Sequence, residues 1–99
     1  MRILAFDFGA SSGRAVLGEF DGEKVTMKEL HRFANEPVEM GGELYWDFPR
    51  LFHELKRGIA KAESEGGADS ISVDTWGVDF GCWIKTAGCF RIRCIIVRL

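Results

Sequence analysis

No cysteine occurs in the first 81 of the 99 residues, proline appears only twice, and no apolar run nears the ~18 residues that span a bilayer. A basic excess is also missing. The formal net charge is −2, which argues against nucleic acid and anionic membrane as partners, since both select a basic surface. The opening Met1-Arg2-Ile3-Leu4-Ala5-Phe6 is interrupted by Asp7, too early for the apolar core of a secretory signal, so a cytoplasmic location is expected. With 46% apolar and 28% charged residues the composition is that of a soluble globular chain. Ninety-nine residues hold one domain at most, either a small complete core or a piece of a larger one.

Charge and cysteine are distributed unevenly. Residues 1–81 hold all 15 acids against nine Lys or Arg, whereas 82–99 hold Lys85, Arg91, Arg93 and Arg98, no acid, and Cys82, Cys89 and Cys94. Those cysteine spacings fit no zinc pattern, and no histidine lies nearby. Joining the third base of each codon to the first two of the next forces leucine from Cys82-Trp83 and aspartate from Trp83-Ile84. Permitted codons then give LLDKNG and onward to HYR, which is strand, turn and strand grammar. The expectation is a one-base slip near Gly81, with 82–99 a frameshifted, non-native tail and the authentic protein longer.

Within 1–81, Arg2–Phe8 reads as a buried strand, Arg14–Phe20 as a second, and Lys24–Phe33 as a third, with Asp21-Gly22 a tight turn between the last two. Val25, Met27 and Leu30 alternate with Lys24, Lys28 and Arg32 and predict the apolar face of the third strand. Residues 34–46, with Pro37 and Gly41-Gly42, predict a loop or short hairpin. Asp47 and Pro49 open a helix whose Leu51, Phe52, Leu55 and Ile59 predict a core face, and Gly66-Gly67 close it. Ser70–Val73 is a further strand. The order β-β-β-α-β implies a right-handed crossover that brings the last strand parallel to an existing one, and the case considered is that it lies beside the first. The loops after Asp7 and Asp74 then open on one edge of the sheet, where α/β sheets bind ligands.

Two segments there carry candidate chemistry. In Asp7-Phe8-Gly9-Ala10-Ser11-Ser12-Gly13-Arg14 small residues let backbone N–H groups approach an oxyanion, while hydroxyls and Arg14 add donors. No Gly-Lys-Ser/Thr closes it, so it is not a Walker loop, and an ordinary hairpin turn explains the spacing equally well. A carboxylate at Asp7, if buried, calls for a partner such as a metal ion. In Asp74-Thr75-Trp76-Gly77-Val78-Asp79-Phe80-Gly81 the acids suit sugar hydroxyls and Trp76 offers an apolar plate for a ring, although a strand end with a core tryptophan is the simpler account. His31 and His53 lack ligand-spaced partners and read as surface or packing residues; Tyr45-Trp46-Asp47-Phe48 reads as packing against the helix.

Taken together, DFGASSGR at 7–14, Glu29-Leu30-His31-Arg32-Phe33, Trp46-Asp47 and DTWGVDFG at 74–81 resemble the amino-terminal part of the FGGY carbohydrate kinase family, in the branch that phosphorylates L-rhamnulose. The resemblance implies an α/β fold, a partial actin-like (ribonuclease H-like) ATPase domain, in residues 1–81. It implies ATP- and magnesium-dependent phosphorylation of L-rhamnulose at its 1-hydroxyl in rhamnose catabolism. By position it makes Ala10, Ser11, Ser12, Gly13 and Arg14 ATP-binding, Asp7 magnesium-linked, and Gly77, with Trp76 beside it, substrate-binding. The family's catalytic base is an aspartate downstream of this chain, which is therefore expected to be inactive alone. The alternatives are another FGGY kinase (xylulokinase or fuculokinase) and a non-catalytic phosphate-binding fragment.

Overall fold

The computed structural model describes residues 1–77, 80–82 and 93–95. Among these, the elements run β1 (Arg2–Phe8), β2 (Ser12–Phe20), β3 (Val25–Ala34), β4 (Val38–Met40), β5 (Glu43–Tyr45), α1 (Phe48–Ser64), β6 (Ser70–Asp74), β7 (Phe80–Cys82) and β8 (Arg93–Ile95). The main sheet has the order β3-β2-β1-β6. Its first three strands form the expected antiparallel meander, and β6 returns parallel to β1 with Asp74 beside Asp7. A second sheet, β4-β5-β8-β7, begins with the hairpin that Gly41-Gly42 predicts. Both of those glycines have positive φ (61° and 80°), as a two-residue turn matched to strand twist requires.

Helix α1 starts where its sequence dictates. The Asp47 carboxylate accepts from the Arg50 N–H at 3.1 Å, and Pro49 occupies the first turn, where its missing N–H costs nothing. The helix packs on one face of β1, β2 and β3. There Leu4, Phe6, Phe8, Ala15 and Phe33 of the sheet meet Leu51 and Ala62 of the helix.

Two expectations about faces need correction. Phe52 is not in the core; it is 55% exposed, with the Lys56 ammonium over its ring. Leu55 and Ile59 are half-buried, and the buried stripe is Leu51, Glu54, Gly58 and Ala62. The helix presents that stripe because Phe6 lies against the bare backbone of Gly58, where any side chain would collide with its ring. In β3, Val25 and Met27 are 61% and 75% exposed, while His31 and Phe33 are buried. The cause is a register shift between Ala15 and Val16, beyond which Lys28 rather than Glu29 lies beside the buried Leu17, and Met27 falls beside Gly18 rather than Glu19. A one-residue offset exchanges the two faces of a strand.

On β6, Ile71 and Val73 lie beside Leu4 and Phe6 yet are about half exposed, because α1 covers β1 to β3 and stops short of β6.

Candidate functional site

The loops after β1 and β6 open on the same edge of the sheet, as two parallel neighbours must. Asp7 lies beside Arg14 on one side and Asp74 on the other. It is not a buried carboxylate, as the apolar character of β1 suggested. Alternation along the strand turns it away from Leu4, Phe6 and Phe8, and its side chain is 52% exposed. Arg14 supplies the partner, its Nε and Nη2 donating to Asp7 Oδ2 at 3.2 and 3.1 Å. A pair this exposed contributes about 0–1 kcal/mol, so a ligand can exchange either partner at little cost.

Gly9 to Ser12 form the tight connection between β1 and β2. The Gly9 N–H donates to the Ser12 carbonyl at 2.9 Å, and a Cβ at Gly9 would stand 2.9 Å from that same oxygen. Ala10 and Ser11 are exposed and Ser12 is half-buried. Gly13 is different in kind. It is buried, with the Phe33 ring across it so closely that a Cβ would fall 2.2 Å from Cζ. Its small size is therefore explained by core packing, whatever else it does.

The second loop is tied to the core by tryptophan. Trp46 and Trp76 stack with ring centroids 4.0 Å apart and planes 10° from parallel. Trp46 is buried, so the face of Trp76 that it covers is closed to a ligand. Gly77 is exposed, and among the described residues no atom lies within 4 Å of where a Cβ would stand, so their packing does not require glycine there. Asp79 lies outside the described residues. A cavity of about 310 Å³ opens between the segment after β3 and the start of α1, bounded by Asn35, Asp47 and Arg50.

A charged cluster between β3 and α1 was not foreseen. His31 and Glu54 are 8% and 1% exposed, and His31 Nε2 lies 2.5 Å from Glu54 Oε2. Lys61 Nζ stands 3.0 Å from His31 Nδ1. An ammonium can only donate, so Nδ1 accepts, and the ring proton sits on Nε2, facing Glu54. Arg50 Nε completes the set, donating to Glu54 Oε1 at 2.9 Å. Glu54 lies three residues beyond Leu51, on the helix's buried stripe, which was the available sign. His31 is thus a packing residue with a buried ion partner. His53 is exposed.

Among the described residues no three His, Cys, Asp or Glu side chains come together as a metal centre, and no helix is long and apolar enough to cross a membrane. Asp7 and its register neighbour Asp74 nonetheless suit magnesium, which is commonly held by one or two carboxylates together with water and substrate phosphates.

No protein-family profile matches the chain. Among individual proteins, it is similar to the rhamnulokinase of Halalkalibacterium halodurans, at 46% identity over 79 residues, covering 78% of this chain and 16% of that one. The rhamnulokinase of Bacteroides thetaiotaomicron is 42% identical over 78 residues, with the same coverage. That of Mannheimia succiniciproducens is 41% identical over 83 residues, covering 81% of this chain and 17% of its own. The matched stretch is therefore rhamnulokinase-family sequence, and the chain spans only 16% to 17% of the length of these relatives.

Proposed function

We propose that residues 1–81 are part of the first, actin-like domain of a sugar kinase that transfers the γ-phosphoryl group of ATP to the 1-hydroxyl of L-rhamnulose. The observation that carries this reading is the meeting of two loops at one sheet edge. One is the small-residue loop behind Asp7 and Arg14, the other the Trp76-Gly77 loop behind Asp74. Phosphoryl transfer depends mainly on positioning and charge neutralisation. In this reading Ala10, Ser11, Ser12 and Gly13 bring backbone and hydroxyl donors to the phosphates, and Arg14 leaves Asp7 to neutralise phosphate charge. Asp7 would hold magnesium, which would supply positive charge to neutralise the phosphates. Gly77 gives the sugar access to backbone, and the face of Trp76 turned away from Trp46 supports its apolar side.

The base that takes the sugar's proton is assigned to sequence beyond this chain, and 82–99 are read as a product of the one-base slip. Two measurements test this together. Resequencing the DNA across the codons for Gly81 and Cys82 should reveal a one-base correction that opens a long frame. The corrected product should phosphorylate L-rhamnulose with ATP and magnesium, while the purified 99-residue chain should not. A corrected product that prefers xylulose or fuculose overturns the substrate. Phosphoryl transfer by the 99-residue chain overturns the assignment of the base, and an unaltered base count with a genuine stop overturns the slip.

A further inference from the structure

We infer that Asn35 is a positioning residue for the phosphate loop, a role that rests on the kinase reading above. Asn35 follows β3, is 5% exposed, and holds the loop in two places. Its side-chain Nδ2 donates to the Gly9 carbonyl at 2.8 Å, and its backbone N–H donates to the Ser11 carbonyl at 3.0 Å. Both contacts cross more than 20 residues of sequence to reach a four-residue turn.

The consequence follows from peptide planarity. In a trans peptide the C=O and the next N–H point in opposite directions, and no peptide here is cis. With the Gly9 and Ser11 carbonyls drawn to Asn35, the N–H groups of Ala10 and Ser12 face away from it. Asn35 thereby presets two donors for an oxyanion, without touching the ligand itself. Fixing donors before the ligand arrives removes an ordering cost from binding. The Gly9 N–H, bonded to the Ser12 carbonyl, closes the loop on itself and leaves Asn35 as the tie to the neighbouring strand.

The isosteric change Asn35→Asp keeps the shape and the backbone N–H but removes the side-chain donor to Gly9. The 99-residue chain and this variant, both ¹⁵N-labelled, are compared by NMR without and with magnesium-ATP, and their melting temperatures are recorded. The expected result is that the amide signals of Gly9 to Ser12 move or broaden in the variant while those of α1 hold. Magnesium-ATP should then bind the variant about tenfold more weakly, as for the loss of one hydrogen bond's preorganisation. Loop signals unchanged by Asn35→Asp overturn the strap. Equal magnesium-ATP affinity in both chains overturns the positioning role alone and leaves the kinase reading standing. No response of residues 10–14 to magnesium-ATP in the unaltered chain overturns the phosphate-loop reading, and the positioning role with it. A variant that loses the whole native spectrum makes Asn35 a general stability residue, which also overturns the inference.

Discussion

Replacing Glu54 with alanine is expected to destabilise the fold by about 1–3 kcal/mol, the usual cost of leaving a buried donor without its acceptor. Glu54 is 1% exposed and accepts from both His31 and Arg50. Without it, the buried His31 N–H loses its acceptor, and the Lys61 ammonium still faces the other ring nitrogen. A small domain has only about 5–15 kcal/mol in total, so Glu54→Ala should melt several degrees below the unaltered chain by circular dichroism. Glu54→Gln keeps an acceptor for His31 and should recover part of that loss. An alanine variant that melts with the unaltered chain would refute the argument.

The same carboxylate sets a pH dependence. Burial pushes the Glu54 carboxyl up, but hydrogen bonds from His31 and then Arg50 outweigh this and hold it below its ordinary value of 4.5. The unfolded chain therefore takes up this proton at a higher pH than the folded one. Glu54's stabilisation is complete above the ordinary value and disappears as the pH falls through the lower folded one. The melting temperature should accordingly fall below pH 4.5, and less steeply in Glu54→Gln. Asp21 and Glu29 are also held low, Asp21 by the backbone N–H groups of Lys24 and Glu23, Glu29 by Arg32. Both are exposed surface groups present in either chain, so the difference between the two acid profiles isolates Glu54. Identical profiles would exclude it as the source.

Gly58→Ala should also destabilise, against the rule for helices. In an exposed helix interior alanine is better than glycine by about 1 kcal/mol. Here the new Cβ would fall 2.5 and 2.8 Å from Cε1 and Cζ of Phe6 and 3.0 Å from Cβ of Ala15. Phe6 is 2% exposed and Ala15 is fully buried, so neither has space into which to retreat. Overpacking of this kind costs about 1–3 kcal/mol, or roughly 4–8 °C in melting temperature per kcal/mol for a domain of this size. Phe6→Leu shortens the obstructing ring. Combined with Gly58→Ala it should lose less than the two single changes added together, a coupling that a double-mutant cycle measures. A Gly58→Ala chain as stable as the original would show that the helix does not depend on this close approach.

Local rules were enough to read the succession of elements. Asp47, Pro49 and Gly66-Gly67 bound the helix because capping, proline geometry and positive φ are properties of a few adjacent residues. The turns at Asp21-Gly22 and Gly41-Gly42 were legible for the same reason. A parallel return of the last strand followed from the handedness of a strand-helix-strand connection; that it joins β1, which places Asp7 and Asp74 on one edge, was a condition that the structure meets.

Which way each face turned was not local. Periodicity put Phe52 in the core and Val25 and Met27 on the apolar face of β3. The fold exposed all three, because the close approach at Gly58 sets the helix's rotation and the shift at Ala15 sets the strand's phase. The partners of Asp7, His31 and Trp76 were equally hidden. Arg14 is seven residues away along the chain, but Glu54 is 23 and Trp46 is 30, and only the packed sheet and helix bring them into contact. The sequence by itself determined where strands and helix begin and where they stop. Only the tertiary structure decided which side chains meet, since burial and long-range pairing are settled by what lies across the core, not by what lies next along the chain.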